Sequence, residues 1–253
     1  MRALLFGWLL SAALPALPDA PNAAHIIRKA HDAAGGEVWR RPSTLYLEGS
    51  AELYADGTLA SRQTADRYVM WREFPAWNNT AHAANGKVRI DAADGNKTLF
   101  QIAFDGEKTY NQNGEVPGAA ASREWSENFG FGIIRFALDE GFKQTLMAPD
   151  SVDGHAVFVV KITDPSGGET NFAIDQQSHQ IRRVGFDTPR GWHERIYSDF
   201  FWVEDPGWMQ PGRVRLYYNG AKTNDIRWTK AVINEPIEAS RFVIDPGSPS
   251  VSQ

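Results

Sequence analysis

The side chains that could carry acid–base or metal chemistry are six histidines and 31 aspartates and glutamates, and their spacing forms no recognised motif. Metal-binding patterns such as HExxH or a tight HxH are absent. His193 and Glu194 are adjacent at the start of a predicted strand, where consecutive side chains point to opposite faces of the sheet. We therefore expect structural or exposed roles for the histidines, and the sequence predicts no metal site and no catalytic residue.

Nucleophile and nucleotide-binding motifs are absent as well. The chain has no cysteine, which removes disulfides, thiolate metal sites and cysteine nucleophiles together. It contains neither a GxSxG sequence nor a Walker A or GxGxxG loop. With a net charge of -5 and no block of basic residues, it also lacks the pattern of a nucleic-acid-binding protein. The sequence implies no cofactor and no nucleic-acid partner.

The strongest chemical signal is apolar. Phenylalanine, isoleucine and valine recur at every second position of three predicted strands, so one face of the sheet is strongly hydrophobic. We predict that this face, continued by two residues nearer the C-terminus, lines a cavity for a hydrophobic ligand. The predicted cavity residues are Phe100, Ile102, Phe104, Phe158, Val160, Phe172, Leu216 and Trp228.

A second apolar segment, 122–141, interrupts the series of predicted strands. Its start and end resemble a capped helix, and Gly130 and Gly132 divide it into two short helices, or a loop and a helix. One hypothesis is a lid on the apolar sheet face, with Trp125, Phe129, Phe131 and Phe136 as ligand-binding residues. The alternative is a permanent plug over an ordinary core, and the residues favour neither.

The elements that must position these residues are mainly strands. A helix is predicted at 22–34, capped by Asn22 and ended by Gly35-Gly36. Seven Asx-Gly pairs predict hairpins with type I′ turns: Asp56-Gly57, Asn85-Gly86, Asp94-Gly95, Asp105-Gly106, Asn113-Gly114, Asp153-Gly154 and Asn219-Gly220. About ten or eleven strands are predicted, among them 45–54, 67–72, 87–91, 98–104, 156–162, 170–174, 182–186, 194–202, 213–218 and 225–233.

The ends of the chain differ from the rest. Residues 1–20 have the pattern of a cleavable secretory signal, with Arg2 before an apolar stretch that is too short to span a membrane. Residues 246–253 are predicted to be a disordered tail. We expect one domain at 21–245, exported to the periplasm as a soluble protein and not embedded in a membrane.

Residues 22–245 resemble the LolA/LolB-like outer-membrane lipoprotein carriers. The resemblance lies in the stretches TLYLEGSAEL, DGEKTYNQNGEV, TNFAIDQQSHQIRRVGF and RLYYNGAKTNDIRWTKAVINEPIEASRFVID. It implies a mainly β fold: one unclosed antiparallel β-barrel of about eleven strands around a hydrophobic cavity, with an N-terminal helix and an inserted helical lid. The carriers are shorter and use one arginine on an early strand, for which Arg67 or Arg72 is the nearest candidate. The stretch 71–77 is typical of one unassigned subgroup within this resemblance.

The predicted function is that of a soluble carrier or binding protein for a lipid, a lipoprotein acyl chain or another hydrophobic ligand, without enzymatic activity. A membrane protein is the expected donor or acceptor. One alternative is an enzyme that acts on a hydrophobic substrate in the same cavity, with help from His155 or Asp175. Another is an interaction module that senses envelope stress or lipidated protein.

The remaining basic pairs have a structural and a functional interpretation. Arg182, Arg183, Arg213 and Arg215 are predicted to be ordinary charges on a sheet face or at its rim. The alternative is that one of them meets an anionic head group at the cavity mouth.

Overall fold

The computed structural model describes residues 22–81, 84–117 and 130–247. The predicted signal peptide at 1–20 lies outside the described residues, as do two predicted lid residues, Trp125 and Phe129, and the predicted tail beyond Gly247.

Two helices begin the described chain. Helix α1 (Ala23–Ala34) is capped by Asn22, whose side-chain oxygen accepts a hydrogen bond from the backbone N–H of His25 at 2.9 Å. Its apolar side chains Ala23, Ile26, Ile27 and Ala30 are buried along one face of the helix. Gly35 ends the helix with φ of 129°, but the chain turns directly into helix α2 (Gly36–Arg40), which the sequence pattern did not predict. This helix is held by tertiary contacts of Trp39, whose ring lies 6.4 Å from that of Trp208.

The described residues form sixteen strands. They are β1 (Thr44–Tyr54), β2 (Arg62–Glu73), β3 (Lys87–Asp94), β4 (Lys97–Phe104), β5 (Thr109–Asn111), β6 (Gly114–Glu115), β7 (Lys143–Leu146), β8 (Asp150–Val152), β9 (His155–Thr163), β10 (Glu169–Asp175), β11 (Ile181–Thr188), β12 (Gly191–Ser198), β13 (Phe201–Val203), β14 (Trp208–Gln210), β15 (Arg213–Tyr218) and β16 (Ala221–Ile233). Three short 3-10 helices, η1 (Leu59–Ser61), η2 (Gly130–Phe136) and η3 (Ala239–Phe242), lie between and after them.

Fourteen strands form one antiparallel sheet that is not closed, in the part of the chain that the structure describes. Its order is β6-β5-β4-β3-β2-β1-β16-β15-β12-β11-β10-β9-β7, and β8 pairs with β9. The first and last long strands, β1 and β16, are neighbours in the middle of the sheet. The predicted fold class is confirmed: the chain is mainly β, with an N-terminal helix and one unclosed antiparallel sheet.

The prediction of one strand at 194–202 was wrong. Strand β12 ends at Ser198, and Asp199 has a positive φ of 54° that interrupts the extended backbone. The chain then enters β13, which pairs with β14 in a separate two-stranded sheet. The extra strands relative to the predicted number are mostly segments of two to four residues, which are too short to show an alternating pattern.

Only two of the seven Asx-Gly pairs have the positive φ at both residues that a type I′ turn requires. These are Asp153-Gly154, with φ of 49° and 80°, and Asn219-Gly220, with φ of 50° and 81°. In the other five pairs only the glycine has a positive φ. At Asp56 the reason is visible, because its carboxylate accepts the backbone N–H of Thr58 at 2.9 Å and forms an Asx turn instead.

The two faces of the sheet are covered by different parts of the chain. The inner face carries the main hydrophobic core and is covered by α1, α2, η2 and the β13–β14 hairpin. On the outer face, Phe242 of η3 is fully buried against Val69 and Trp71. Also on this face, the buried Arg89 side chain pairs with Asp91 at 2.9 Å. Both faces of the sheet are therefore covered by apolar side chains, and the larger apolar cluster lies on the inner face.

Candidate functional site

A cavity of about 210 Å³ lies between the inner face of the sheet and the segments that cover it. A space of roughly 10–15 Å³ for the centre of a water-sized sphere already admits one water, so this cavity is far larger than a packing defect. Its walls come from segments spread over the chain, from Ala33 in α1 to Trp228 in β16. It is the site at which a ligand of this protein would find apolar surface.

The sheet supplies the floor of the cavity through alternate residues of its central strands. Leu45 and Leu47 of β1, Met70 of β2, and Leu216 of β15 point to this face. Tyr68 closes one side, with its ring 5.5 Å from that of Trp228. Burial raises the pKa of the Tyr68 phenol, so this hydroxyl stays neutral at physiological pH.

The roof is made by the helices and by the β13–β14 hairpin. Trp39 of α2 and Trp208 of β14 contribute large aromatic surfaces. The polar atoms here are satisfied locally: Trp208 Nε1 donates to Gln210 Oε1 at 2.9 Å, and Gln210 Nε2 donates to the Pro211 carbonyl at 3.0 Å. The hairpin therefore presents an apolar surface to the cavity even though it carries polar side chains.

Three arginines reach the cavity wall: Arg72 of β2, Arg135 of η2 and Arg195 of β12. Burial, followed by the positive charges of Arg135 and Arg195, lowers the pKa of Arg72 to about 9. Burial likewise lowers the pKa of Arg135 to about 10. Both guanidinium groups still carry their charge at neutral pH.

The predicted cavity residues separate into two groups. Phe172, Leu216 and Trp228 line the cavity. The other five, Phe100, Ile102, Phe104, Phe158 and Val160, are not among the described lining residues. Phe100, Phe158 and Val160 pack in the main core, Phe104 is buried in a smaller cluster with Val88, and Ile102 is partly exposed.

The described part of the predicted lid is buried core. Ile133 and Ile134 of η2 have no exposed surface, and Phe136 is 6% exposed. The buried His31 ring lies with Nε2 2.8 Å from the carbonyl oxygen of Ile134, so the neutral ring donates a hydrogen bond to it. For Phe131 only the backbone, within η2, is described. The segment Gly130–Phe136 thus packs as the plug interpretation expects.

His155 and Asp175, which the enzyme hypothesis named, are in contact but do not line the cavity. His155 Nδ1 lies 3.1 Å from Asp175 Oδ2, and His155 is half-exposed. Burial raises the pKa of Asp175, but the backbone N–H groups of Ser178 and Gln177 and the guanidinium of Arg182 outweigh it and lower the pKa to about 2. This carboxylate closes a turn and pairs with an arginine, so it is a poor proton donor or acceptor near neutral pH.

The arginines that the sequence offered as head-group ligands form ion pairs on the sheet. The pairs are Arg182 with Asp175 at 3.0 Å, Arg183 with Asp150 at 2.7 Å, Arg213 with Asp225 at 2.7 Å, and Arg215 with Asp153. None of these arginines is part of the described cavity lining. Of the two candidates on the early strand, Arg67 lies 3.5 Å from Glu48, whereas Arg72 reaches the cavity.

Sequence reasoning missed Arg135, Arg195, Trp39 and Trp208 as cavity residues. Trp39 follows a glycine pair that ends a helix, and Trp208 lies in a strand of three residues, so neither belongs to a long periodic element. Arg195 had a usable signal, because it alternates with His193 and Tyr197 on a predicted strand. The stretch 71–77, which the sequence assigned to one subgroup, contributes Arg72 and Phe74 to the cavity wall.

Comparison with known proteins places the chain by its fold. No family model matches the sequence, and no curated protein matches it either. The structure is similar to that of a DUF1329 family protein from Desulfovibrio piger, with a TM-score of 0.56 and 9% identity, covering 88% of this chain and 98% of that chain.

Two further similar structures carry LolA-type descriptions. One is a putative outer membrane lipoprotein-sorting protein domain from Vibrio parahaemolyticus, with a TM-score of 0.49, 11% identity, and 87% of this chain and 95% of that chain covered. The other is a LolA superfamily protein from Nitrosomonas europaea, with a TM-score of 0.49, 11% identity, and 88% and 98% covered.

The described residues contain no group of three or more histidines and carboxylates placed to hold a metal ion. Among their helices, none combines the length and the apolar character needed to cross a membrane.

Proposed function

We propose that this protein is a binding protein or carrier for a lipid, a lipoprotein acyl chain or another hydrophobic ligand, which it holds in the cavity on the inner face of the sheet. One observation carries the proposal. The cavity of about 210 Å³ is walled mainly by aromatic and aliphatic side chains, although the sheet has ample material for a filled core. Sites for hydrophobic small molecules have this character: concave and apolar, with a few polar groups.

We infer that the protein binds its ligand without catalysis. The His155–Asp175 pair does not favour the enzyme alternative, because it is not part of the cavity lining and its carboxylate is held by a turn and by Arg182. The N-terminal pattern at 1–20 supports export and a periplasmic location. A membrane protein that donates or accepts the ligand is the partner that a carrier in this location requires.

The first test is direct detection of a ligand. The full chain would be produced in an export-competent bacterial host, purified without detergent, and examined by native mass spectrometry. The proposal expects a co-purifying hydrophobic molecule, released on denaturation and identifiable in the organic extract. A protein that carries none, and that after delipidation fails to bind the neutral fluorescent probe N-phenyl-1-naphthylamine, would contradict it.

A matched pair of variants locates the binding site. Leu216→Trp places a larger side chain in the cavity and should weaken probe binding at least about tenfold by exclusion of volume. Leu59→Trp makes the same chemical change at a side chain that is 79% exposed and outside the cavity, so its probe affinity should equal that of the unmodified protein. Equal affinity in both variants would place the bound probe elsewhere.

A further inference from the structure

The tyrosine hydroxyls of this protein differ in whether the surrounding chain binds them. The hydroxyl of Tyr46 donates a hydrogen bond to Glu48 at 2.7 Å, and that of Tyr54 donates to Glu52 at 2.6 Å. The hydroxyl of Tyr68 has no hydrogen-bond partner within residues 22–81, 84–117 and 130–247. Burial raises the pKa of Tyr68, and no hydrogen bond contributes to that shift.

The immediate surroundings of Tyr68 are apolar. Its ring lies 6.1 Å from that of Phe100 and 5.5 Å from that of Trp228, measured between ring centroids. The residues opposite it on the neighbouring strands β1 and β3 are Gly49 and Ala92, which carry no polar side chain. A phenylalanine would make the same contacts with these neighbours, so packing does not explain the hydroxyl.

Tyr68 lines the cavity, although it is only 4% exposed. Buried tyrosine hydroxyls usually have a partner, because an unpaired hydroxyl in apolar surroundings is unfavourable. A hydrocarbon that filled the cavity would exclude water from this hydroxyl and leave it unpaired. A ligand with an oxygen acceptor at this point would pair it instead, since the buried phenol keeps its proton and can donate a hydrogen bond.

We propose that the ligand of this cavity carries a neutral oxygen acceptor, the carbonyl of an ester, amide or ketone, within its apolar body, and that the Tyr68 hydroxyl donates a hydrogen bond to this oxygen. This proposal rests on the proposed function, since it names the class of hydrophobic ligand that the same cavity takes. A neutral acceptor suits this position better than an anion, because moving a charge from water to the side of Phe100 and Trp228 costs more. Tyr68 is then the residue that determines specificity.

The test compares two ligands that differ only in the acceptor. In 2-acetylnaphthalene and 2-isopropenylnaphthalene the skeleton is the same, and the C=O of the ketone is replaced by C=CH2 in the alkene. Displacement of N-phenyl-1-naphthylamine from the delipidated protein gives both affinities. Because the ketone is better hydrated, the measure is not its absolute affinity but the change of the ketone-to-alkene affinity ratio between protein variants, in which hydration cancels.

Tyr68→Phe removes the hydroxyl and keeps the ring. We expect ketone affinity to fall at least about fivefold, as loss of a hydrogen bond to the ligand predicts. The alkene should bind this variant at least as tightly as it binds the unmodified protein, because no hydroxyl is left unpaired. Tyr46→Phe is the matched control: it removes a hydroxyl that is bonded to Glu48 outside the cavity, and it should change neither affinity.

A vibrational measurement detects the hydrogen bond itself. The difference between infrared spectra recorded with the 12C and the 13C carbonyl of bound 2-acetylnaphthalene isolates the ligand band from the protein bands. In the unmodified protein this band should lie at lower frequency than in a hydrocarbon solvent, because the carbonyl accepts a hydrogen bond. In Tyr68→Phe it should move back toward the hydrocarbon value, which a change of cavity shape alone would not cause.

The outcomes separate the two proposals. Unchanged ketone affinity in Tyr68→Phe, or equal weakening of ketone and alkene, would overturn the oxygen acceptor and leave a hydrophobic binding protein. A carbonyl band at the same frequency in Tyr68→Phe and in the unmodified protein would overturn it as well. Failure of the probe and of both naphthalenes to bind the unmodified protein would overturn the proposed function itself.

Discussion

Gly49, near the middle of β1, shows how one residue sets the shape of the sheet. A Cβ atom at this position would overlap the carbonyl oxygen of Arg227 and lie 2.9 Å from the Cα of Trp228. The pairing register of β1 shifts at this point against both of its neighbours. Since Trp228 and β1 both contribute to the cavity floor, the close approach at Gly49 also positions that floor.

Replacing Gly49 with alanine is expected to destabilise the fold. The added methyl group meets backbone atoms of β16 that cannot move without breaking the ladder, so the free energy of unfolding should fall by about 2–3 kcal/mol. Urea denaturation measures this. Gly132→Ala is the matched control, because its nearest neighbour would be Arg135 Nη1 at 3.9 Å, an ordinary contact, and its stability should change by less than about 0.5 kcal/mol. A similar loss in both variants would contradict the steric explanation.

Among the elements, η2 shows that the described part of the apolar insertion is core. Its residues Ile133 and Ile134 are completely buried, and the Ile134 carbonyl accepts a hydrogen bond from the buried His31 of α1. The carbonyl of Arg135, also in η2, accepts a hydrogen bond from Arg40 Nε at 3.4 Å, so η2 is hydrogen-bonded to both N-terminal helices. This segment belongs to the cooperative core, and Arg135 is the part of it that reaches the cavity.

Truncation of Ile134 tests that assignment. Ile134→Ala should lower the free energy of unfolding by about 2–5 kcal/mol, as loss of a fully buried side chain does. Leu59→Ala, at a side chain that is 79% exposed, serves as the control and should cost less than about 0.5 kcal/mol. If Ile134→Ala cost under about 1 kcal/mol in chemical denaturation, η2 would be a loosely held cover rather than core.

A comparison of these elements with the sequence patterns shows which of them could be predicted. The alternation of apolar residues predicted the long strands, and the Asn22 cap predicted α1, because both depend on contacts within a few residues. The break at Asp199 and the short β13–β14 hairpin were missed, since their geometry is imposed by packing over the core. Of the cavity residues, Phe172, Leu216 and Trp228 were predicted from the sequence. The positions of Arg135 and Trp208 in the cavity wall could not be predicted, because they depend on which segments fold over the sheet.

For the whole molecule, two buried histidines couple stability to pH. Burial lowers the pKa of His31, and burial with the charge of Arg195 lowers the pKa of His193 to about 3. Both rings are neutral in the folded protein, whereas in the unfolded chain they take up protons below the ordinary pKa of about 6.5. Their contribution is therefore fully present above pH 6.5 and is lost as the pH falls toward the folded pKa values.

The expected result is a steep loss of stability in mild acid. Between pH 8 and pH 5, His193 alone should lower the free energy of unfolding by about 2 kcal/mol, and His31 adds to this in the same direction. Urea denaturation at several pH values measures the slope. His193→Gln should reduce it, while His25→Gln, at an exposed position, should not. An unchanged slope in His193→Gln would contradict the assignment.

The sequence by itself determined helix α1, most of the long strands, the apolar character of one sheet face and the absence of recognised catalytic motifs. These follow from periodicity and side-chain chemistry, which act between residues close in the chain. Only the tertiary structure decided that β1 and β16 meet in the middle of the sheet, and that Arg72, Arg135 and Arg195 reach one cavity. The reason is physical: strand order and the segments that cover the sheet depend on contacts between distant parts of the chain, and no local pattern encodes which of these contacts form.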